Sequence, residues 1–126
     1  MPLKRKTSDA QRYRDLFFRS LAGGYQSTLG GELLDCNDAF AKIFGYESRD
    51  DCLQRWDLDI HVPEERRNAF RAALKESRAV RDEESLLFRK DATPVWVLEN
   101  TLLLKEEQPD AESSDAEAYK QSFLLD

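Results

Sequence analysis

Apolar residues recur along this chain at two spacings, and each change of spacing marks a change of element. Between residues 9 and 21, Tyr13, Leu16, Phe17, Phe18 and Leu21 fall at roughly every third or fourth position, which predicts an amphipathic helix. Gly23 and Gly24 are expected to stop it, because glycine readily takes the left-handed conformation of a helix end. Residues 25–28 and 32–36 then read as two short strands joined across Gly30 and Gly31. Asn37 or Asp38 is suited to cap the next helix with its side-chain oxygen. Phe40, Ile43 and Phe44 share one face of that helix and should enter the core, with Gly45 ending it. Ser48, with Asp51 three residues on, offers a second helix start as an imperfect capping box.

Residues 56–62 show no period and are expected to be irregular. Pro63 suits the first turn of a longer helix, with Glu64 and Glu65 near its positive end. That helix should run to about Ser77 and bury Ala69, Phe70, Ala73 and Leu74. Alternation then predicts strands over residues 80–89 and 95–104, linked by Lys90-Asp91-Ala92-Thr93-Pro94. Residues 106–117 are acidic and read as a solvated loop, and residues 119–125 (YKQSFLL) as a final strand. There is no internal repeat. Strands in runs with helices gathered between them predict an α+β domain with an antiparallel sheet.

The stretch VWVLENTLLL carries more information than any other strand. Trp96, Leu98, Asn100, Leu102 and Leu104 point one way; Val95, Val97, Glu99, Thr101 and Leu103 point the other. Apolar groups on both faces require both to be covered. The core helices can cover one face. The other needs the N-terminal helix, a second protomer, or both, so Leu16, Phe17 and Trp96 are the expected contact residues of a homodimer. Polar groups in an apolar pocket usually orient a ligand, which makes Glu99, Thr101 and Asn100 candidates alongside Phe40, Phe44, Phe70 and Leu74. The sequence leaves open which face of the strand lines the interior.

Composition narrows the function. The chain has 126 residues, one domain's worth, with a formal charge of −6 that argues against a nucleic-acid surface. Lys4, Arg5 and Lys6 fit a solvated, disordered tail over residues 1–7. No apolar run approaches the ~20 residues of a membrane span, and no signal-peptide core follows the start, so no membrane contact and a cytoplasmic location are expected. Cys36 and Cys52 lack metal-site spacing and read as reduced structural thiols, and no metal ligands are assigned.

Catalytic chemistry is poorly provided for. His61 is the sole histidine, which removes most nucleophile–base pairs. No Gly-rich phosphate loop, HExxH or GxSxG occurs. Cys36-Asn37-Asp38 could be a thiol with polar helpers, but no histidine stands near it, and it fits a strand-to-helix seam better. No catalytic residue is assigned; a thiol enzyme using Cys36 is the least supported reading.

The order of these pieces carries a resemblance. Gly31 leads into ELLDC, then Asn37-Asp38-Ala39-Phe40, then IFGYES; HVPEER turns into the long helix; FRKDATPVWVLEN and a terminal FLLD follow. From about Tyr13 to its end the chain resembles the PAS sensor family. That resemblance implies a five-stranded antiparallel sheet cupping small helices around an internal pocket. It places an N-terminal helix over residues 8–22 and the domain over residues 23–126, with 106–117 as an insertion. It also implies a non-catalytic sensory module excised from a larger signalling protein, such as a two-component histidine kinase. Asp126 matches the aspartate through which the last strand enters a linker to a covalently joined output domain. Two departures stand out: Ala92 replaces the usual glycine of the Lys-Asp-Gly turn, which predicts a looser connection, and the acidic insertion lengthens the last hairpin.

The cofactor is left unassigned. Haem-binding members place their ligand on the long helix, where EERRNAFRAALKES has no histidine, and photoactive flavin members need an Asn-Cys-Arg-Phe-Leu type motif that is missing here. A possible small-molecule ligand and a homodimer remain as partners. The alternative is a ligand-free dimerisation scaffold whose interior is filled by Phe40, Phe44 and Phe70.

Overall fold

The computed structural model describes residues 8–105 and 118–125. The basic tail 1–7, the acidic stretch 106–117 and Asp126 lie outside the described residues. In chain order the elements are α1 (Asp9–Arg19), β1 (Gly23–Thr28), β2 (Leu33–Cys36), α2 (Asp38–Ile43), α3 (Arg49–Arg55), α4 (Leu58–His61), α5 (Glu64–Ser77), β3 (Ala79–Phe88), β4 (Pro94–Lys105) and β5 (Ala118–Leu125). The strands form one sheet in the order β2-β1-β5-β4-β3, with every neighbouring pair antiparallel. The last strand in sequence is therefore the middle strand in space.

Local chemistry explains most boundaries. Ser8 caps α1 by accepting from the Gln11 N–H, and Ser48 caps α3 by accepting from the Asp51 N–H. The Asp51 carboxylate in turn accepts from the Glu47 N–H at 3.0 Å, a variant of the reciprocal box. Gly45, at φ 94°, ends α2 in a paired closure: its N–H donates to Lys42 O, and the Tyr46 N–H donates to Ala41 O.

Asn37 does more than cap α2. Its Oδ1 accepts from Phe40 N–H and Gly24 N–H, both at 2.9 Å. Its Nδ2 donates to Phe17 O at 2.7 Å and Ala22 O at 3.1 Å. One fully buried amide thus ties the end of α1, the start of β1 and the start of α2 together, with all its hydrogen-bonding capacity used.

Several expectations are corrected. Gly23 and Gly24 do not stop α1, which already ends at Arg19; they open β1. Gly23 is needed there for closeness, since a Cβ on it would lie 2.8 Å from Ile43 Cδ1 and 3.0 Å from Phe40 Cα. The segment 56–62 contains the short helix α4, capped by Asp57. Ala69 and Ala73 are exposed, and α5 buries only Phe70 and Leu74, because it meets the sheet along a narrow stripe. The Ala92 turn is tight: Ala92 takes φ 73°, its N–H donates to Arg89 O, and Arg89 N–H donates to Thr93 O, both at 2.8 Å. Asp91 holds that turn by accepting from the Thr93 N–H and hydroxyl.

The core has two parts. Cys36, Phe40, Ala41, Phe44, Tyr46, Cys52, Leu87, Val95 and Val97 form the larger cluster between the sheet and α2–α3. Leu29, Phe70, Leu74, Val80 and Leu103 form a smaller one under α5.

Candidate functional site

A cavity of about 70 Å³ lies where the two clusters meet, between α5 and the sheet. Phe40, Phe44, Leu87, Leu29 and Phe70 give it apolar walls drawn from both clusters. Gly30, Gly31 and Leu58 border it at the β1–β2 turn. Gly31 adopts φ 107° there, and a Cβ on it would lie 2.3 Å from Leu58 Cδ2, so only glycine lets the turn and α4 approach this closely.

A polar network centred on Glu99 forms part of one wall. Glu99 on β4 is 4% exposed. Its Oε2 accepts from the Tyr25 hydroxyl at 2.7 Å and the Thr101 hydroxyl at 3.2 Å. Arg66 on α5 brings Nη2 to 3.6 Å from Glu99 Oε1 and its Nε to 3.0 Å from Ser85 Oγ; Nη2 also donates to that hydroxyl. The Arg66 guanidinium lies 4.4 Å from the centre of the Phe70 ring. A buried carboxylate is stable only when it is paired and hydrogen-bonded, and Glu99 has both kinds of partner.

Strand parity is now fixed. Val95, Val97, Glu99, Thr101 and Leu103 face inward, whereas Trp96, Asn100 and Leu102 are exposed on the outer face. Of the pocket candidates, Phe40, Phe44, Phe70 and Glu99 line the cavity; Leu74 and Thr101 are buried but are not among its lining residues. Asn100 is corrected: it sits on the opposite face, where its Oδ1 accepts from the Asp82 N–H at 3.0 Å. Asp82 has φ 51° at a bulge in β3, so Asn100 supports an irregular backbone there. Sequence reading missed Tyr25 and Arg66 as site residues. The alternation of β1 was too short to show Tyr25 facing inward, and an arginine on a charged helix carries no signal of burial.

The contact candidates also divide. Phe17 is corrected, being 2% exposed within its own chain, whereas Leu16 is 69% and Trp96 63% exposed. Leu86, paired with Trp96, and Leu102, further along β4, are also exposed on the outer sheet face, so α1 does not by itself cover that face.

The two residues with chemical potential elsewhere are both committed to structure. His61 is fully buried and stacks on Trp56 with ring centres 4.1 Å apart. Phe88 O, 2.7 Å from Nδ1, can only accept, so Nδ1 carries the proton; Nε2 then accepts from the Tyr46 hydroxyl at 2.7 Å. Burial lowers the His61 pKa below its ordinary value, and burial pushes the Tyr46 phenol up to about 12. With both ring nitrogens engaged, His61 has no lone pair to offer an iron. Cys36 and Cys52 are free and fully buried; hydrogen bonding to Cys36, followed by burial, drives the Cys52 thiol far above its ordinary range, opposite to what a nucleophile needs. Among the described residues no cluster suited to a metal ion occurs, and no helix is long and apolar enough to cross a membrane.

Comparison with known proteins gives a consistent result. A family model described as a PAS domain matches residues 25–111. The fold is similar to a domain of a sensory box sensor histidine kinase/response regulator from Geobacter sulfurreducens, with TM-score 0.68, 22% identity and 93% of each chain covered. It is also similar to a PAS domain from Colwellia psychrerythraea, with TM-score 0.72, 15% identity, and 94% of this chain and 97% of that one covered. A third similar structure is the PAS domain, in complex with ethanol, of a LuxR-family transcriptional regulator from Burkholderia thailandensis. It has TM-score 0.65 and 20% identity, covering 88% of this chain and 94% of that one. No curated relative matches the sequence significantly.

Proposed function

The chain belongs to the PAS domain family, and from that membership we propose that it is a non-catalytic sensory module of a larger, cytoplasmic signalling protein such as a two-component histidine kinase. The observation that carries the reading is the cavity of about 70 Å³ with the Tyr25–Glu99 pair on its wall. A small molecule entering there meets side chains from β1, β4 and α5 at once. Tyr25 is in register with Ser122 of β5, and Glu99 with Leu124, so the pair bridges the strand whose end leads toward Asp126. A ligand that favours one geometry of the pair biases the position of β5, and differential affinity for the two geometries limits the signal.

Two measurements test this. Native mass spectrometry with an absorbance scan of freshly purified protein reads whether a small molecule occupies the cavity. Replacing Asp126→Ala in the full-length protein reads the relay. Regulated output that is unchanged in that variant rejects transmission through the last strand.

A second property is favoured by the outer sheet face. Trp96 and Leu86, paired across β4 and β3, present exposed apolar surface on this face, and Leu102 lies further along β4, which supports a homodimer formed across this face; Leu16 of α1, also exposed, is a further contact candidate. A dimer with an empty interior would make the protein a dimerisation scaffold instead of a sensor.

A further inference from the structure

One oxygen of Glu99 is left without a hydrogen bond. Oε2 accepts from the Tyr25 and Thr101 hydroxyls, whereas Oε1 lies 3.6 Å from Arg66 Nη2. That separation makes an ion pair but is too long for a hydrogen bond. Oε1 is not sealed in protein either. Among the described residues only Arg67 Nε is both shut away from water and without a hydrogen bond. Oε1 therefore keeps a face open to a small molecule. Because Glu99 is buried and lines the cavity, that face opens into the cavity.

A buried carboxylate oxygen with no hydrogen bond calls for a donor. The neighbours decide which kind. An anion would face the like charge of Glu99, and an ammonium would stand beside the Arg66 guanidinium already paired with that oxygen. A neutral hydroxyl meets neither repulsion, and its bond to a carboxylate is charge-assisted. Much of the remaining wall is apolar. The Tyr25 and Phe40 rings lie 4.9 Å apart between centres, and Phe44, Leu33 and Leu87 continue that surface. An ordered water needs two to four polar partners, which this side of the cavity does not offer.

We propose that the cavity takes an alcohol of one or two carbons, its hydroxyl donating to Glu99 Oε1 and its alkyl group packed on the aromatic wall of Phe40 and Phe44. The volume sets the size. About 70 Å³ is roughly half the ~150 Å³ of an apolar cavity able to hold benzene, so about three heavy atoms fit, as in ethanol. Even at the highest efficiency per atom, a ligand this small binds no tighter than about millimolar. This ligand class rests on the sensory-pocket reading above.

The experiment titrates the protein with ethanol, acetonitrile, ethylammonium chloride and 1-butanol at constant ionic strength, following amide chemical shifts. Ethanol is expected to shift amides of β4 and α5 saturably. Acetonitrile, similar in size but without a donor, and ethylammonium are each expected to bind at least about fivefold more weakly. 1-Butanol, too long for the space, is expected to give no saturable shift there. Glu99→Gln removes the charge from the accepting group and should weaken ethanol at least about fivefold. Should that variant not fold, the four compounds compared on the unaltered protein decide the outcome. Acetonitrile or ethylammonium binding as tightly as ethanol, saturable binding of butanol at the cavity, or an ethanol affinity unchanged in Glu99→Gln overturns the alcohol at Oε1 and leaves the pocket reading standing. No saturable shift at the cavity with any of the four means that it holds water only, and overturns both.

Discussion

Tyr25 on β1 and Glu99 on β4 are joined by a 2.7 Å hydrogen bond although β5 lies between their strands. The bond therefore clamps the middle of the sheet from its concave side. It also keeps a buried carboxylate satisfied, and hydrogen bonds to charged groups contribute about 1.5–3 kcal/mol. Thr101 and Arg66 remain in place when the phenol is lost, so Tyr25→Phe should lower the unfolding free energy by about 1–2 kcal/mol. Urea denaturation measures it. A loss below about 0.5 kcal/mol would mean that water replaces the hydroxyl at no penalty.

Ala92 holds a backbone conformation that a side chain disfavours, and the turn around it is closed by two 2.8 Å bonds. The left-handed region costs an L-residue about 1–2 kcal/mol. Glycine removes that strain but adds about 0.5–1 kcal/mol of unfolded-state entropy. Ala92→Gly should then stabilise the protein by about 0.5–1 kcal/mol. A thermal melt showing no gain, or a loss, would refute strain at this turn.

The Ala92 turn also shows where sequence reading succeeds and fails. Caps and stops are local chemistry, so Asn37, Gly45 and Ser48 could be read in place. Ala92 is illegible in sequence because the lack of a glycine does not remove the conformation: Asp91 supplies side-chain bonds that hold alanine there. The α+β class and the antiparallel sheet followed from period and element order. The Tyr25–Glu99 bond did not, because it joins residues 74 positions apart across a third strand, and spacing along a chain carries no trace of such a partner. Gly23 failed for a related reason: its role is the close passage of α2, not a turn of its own.

Close packing at Gly23 gives a sharper test of that role. Its added methyl would meet Ile43 Cδ1, which can shift, and Phe40 Cα, which is backbone and cannot easily do so. Overpacking of this kind costs about 1–3 kcal/mol. Gly23→Ala is expected to destabilise by that amount, whereas Gly30→Ala, with only Thr28 Oγ1 at 3.8 Å, should change stability far less. Equal effects of the two would show that conformation, not space, sets the requirement at Gly23.

His61 predicts a pH dependence with a definite sign. Its folded-state pKa is lowered by burial, so between the ordinary value of about 6.5 and the lower folded value the unfolded chain binds the proton first. Stability is therefore present above about pH 6.5 and is lost as the pH falls below it, with a slope of at most about 1.4 kcal/mol per pH unit for one proton. Tyr46 acts at the other end: its phenol is pushed up to about 12, so its share is lost as the pH rises from about 10. Urea midpoints at pH 7.5 and 5.5 measure the acid limb. His61→Phe should be less stable at both, since Phe88 O and Tyr46 lose their partner, but should show a smaller difference between them. An unchanged difference would assign the acid loss to carboxylates instead.

Trp96 and Leu102 lie six residues apart on the outer face of β4, with Leu98 and Asn100 between them, and Leu86 of β3 is in register with Trp96. Nothing in the described chain covers this group, and Leu16 on α1 and Leu21 just after it are exposed as well. If the homodimer forms here, Trp96→Glu places a charge in its centre on each protomer, and like charges facing one another across a desolvated contact oppose association. Because Trp96 is already 63% exposed in the single chain, the same substitution should leave monomer stability within about 0.5 kcal/mol. Sedimentation velocity over a concentration series separates the two effects. The expected outcome is a dimer for the parent chain, a monomer for Trp96→Glu, and matching unfolding curves once the parent is diluted to monomer. A dimer that survives Trp96→Glu, Leu102→Glu and Leu16→Glu alike would place the contact elsewhere on the molecule and leave the apolar outer face of β4 without a partner.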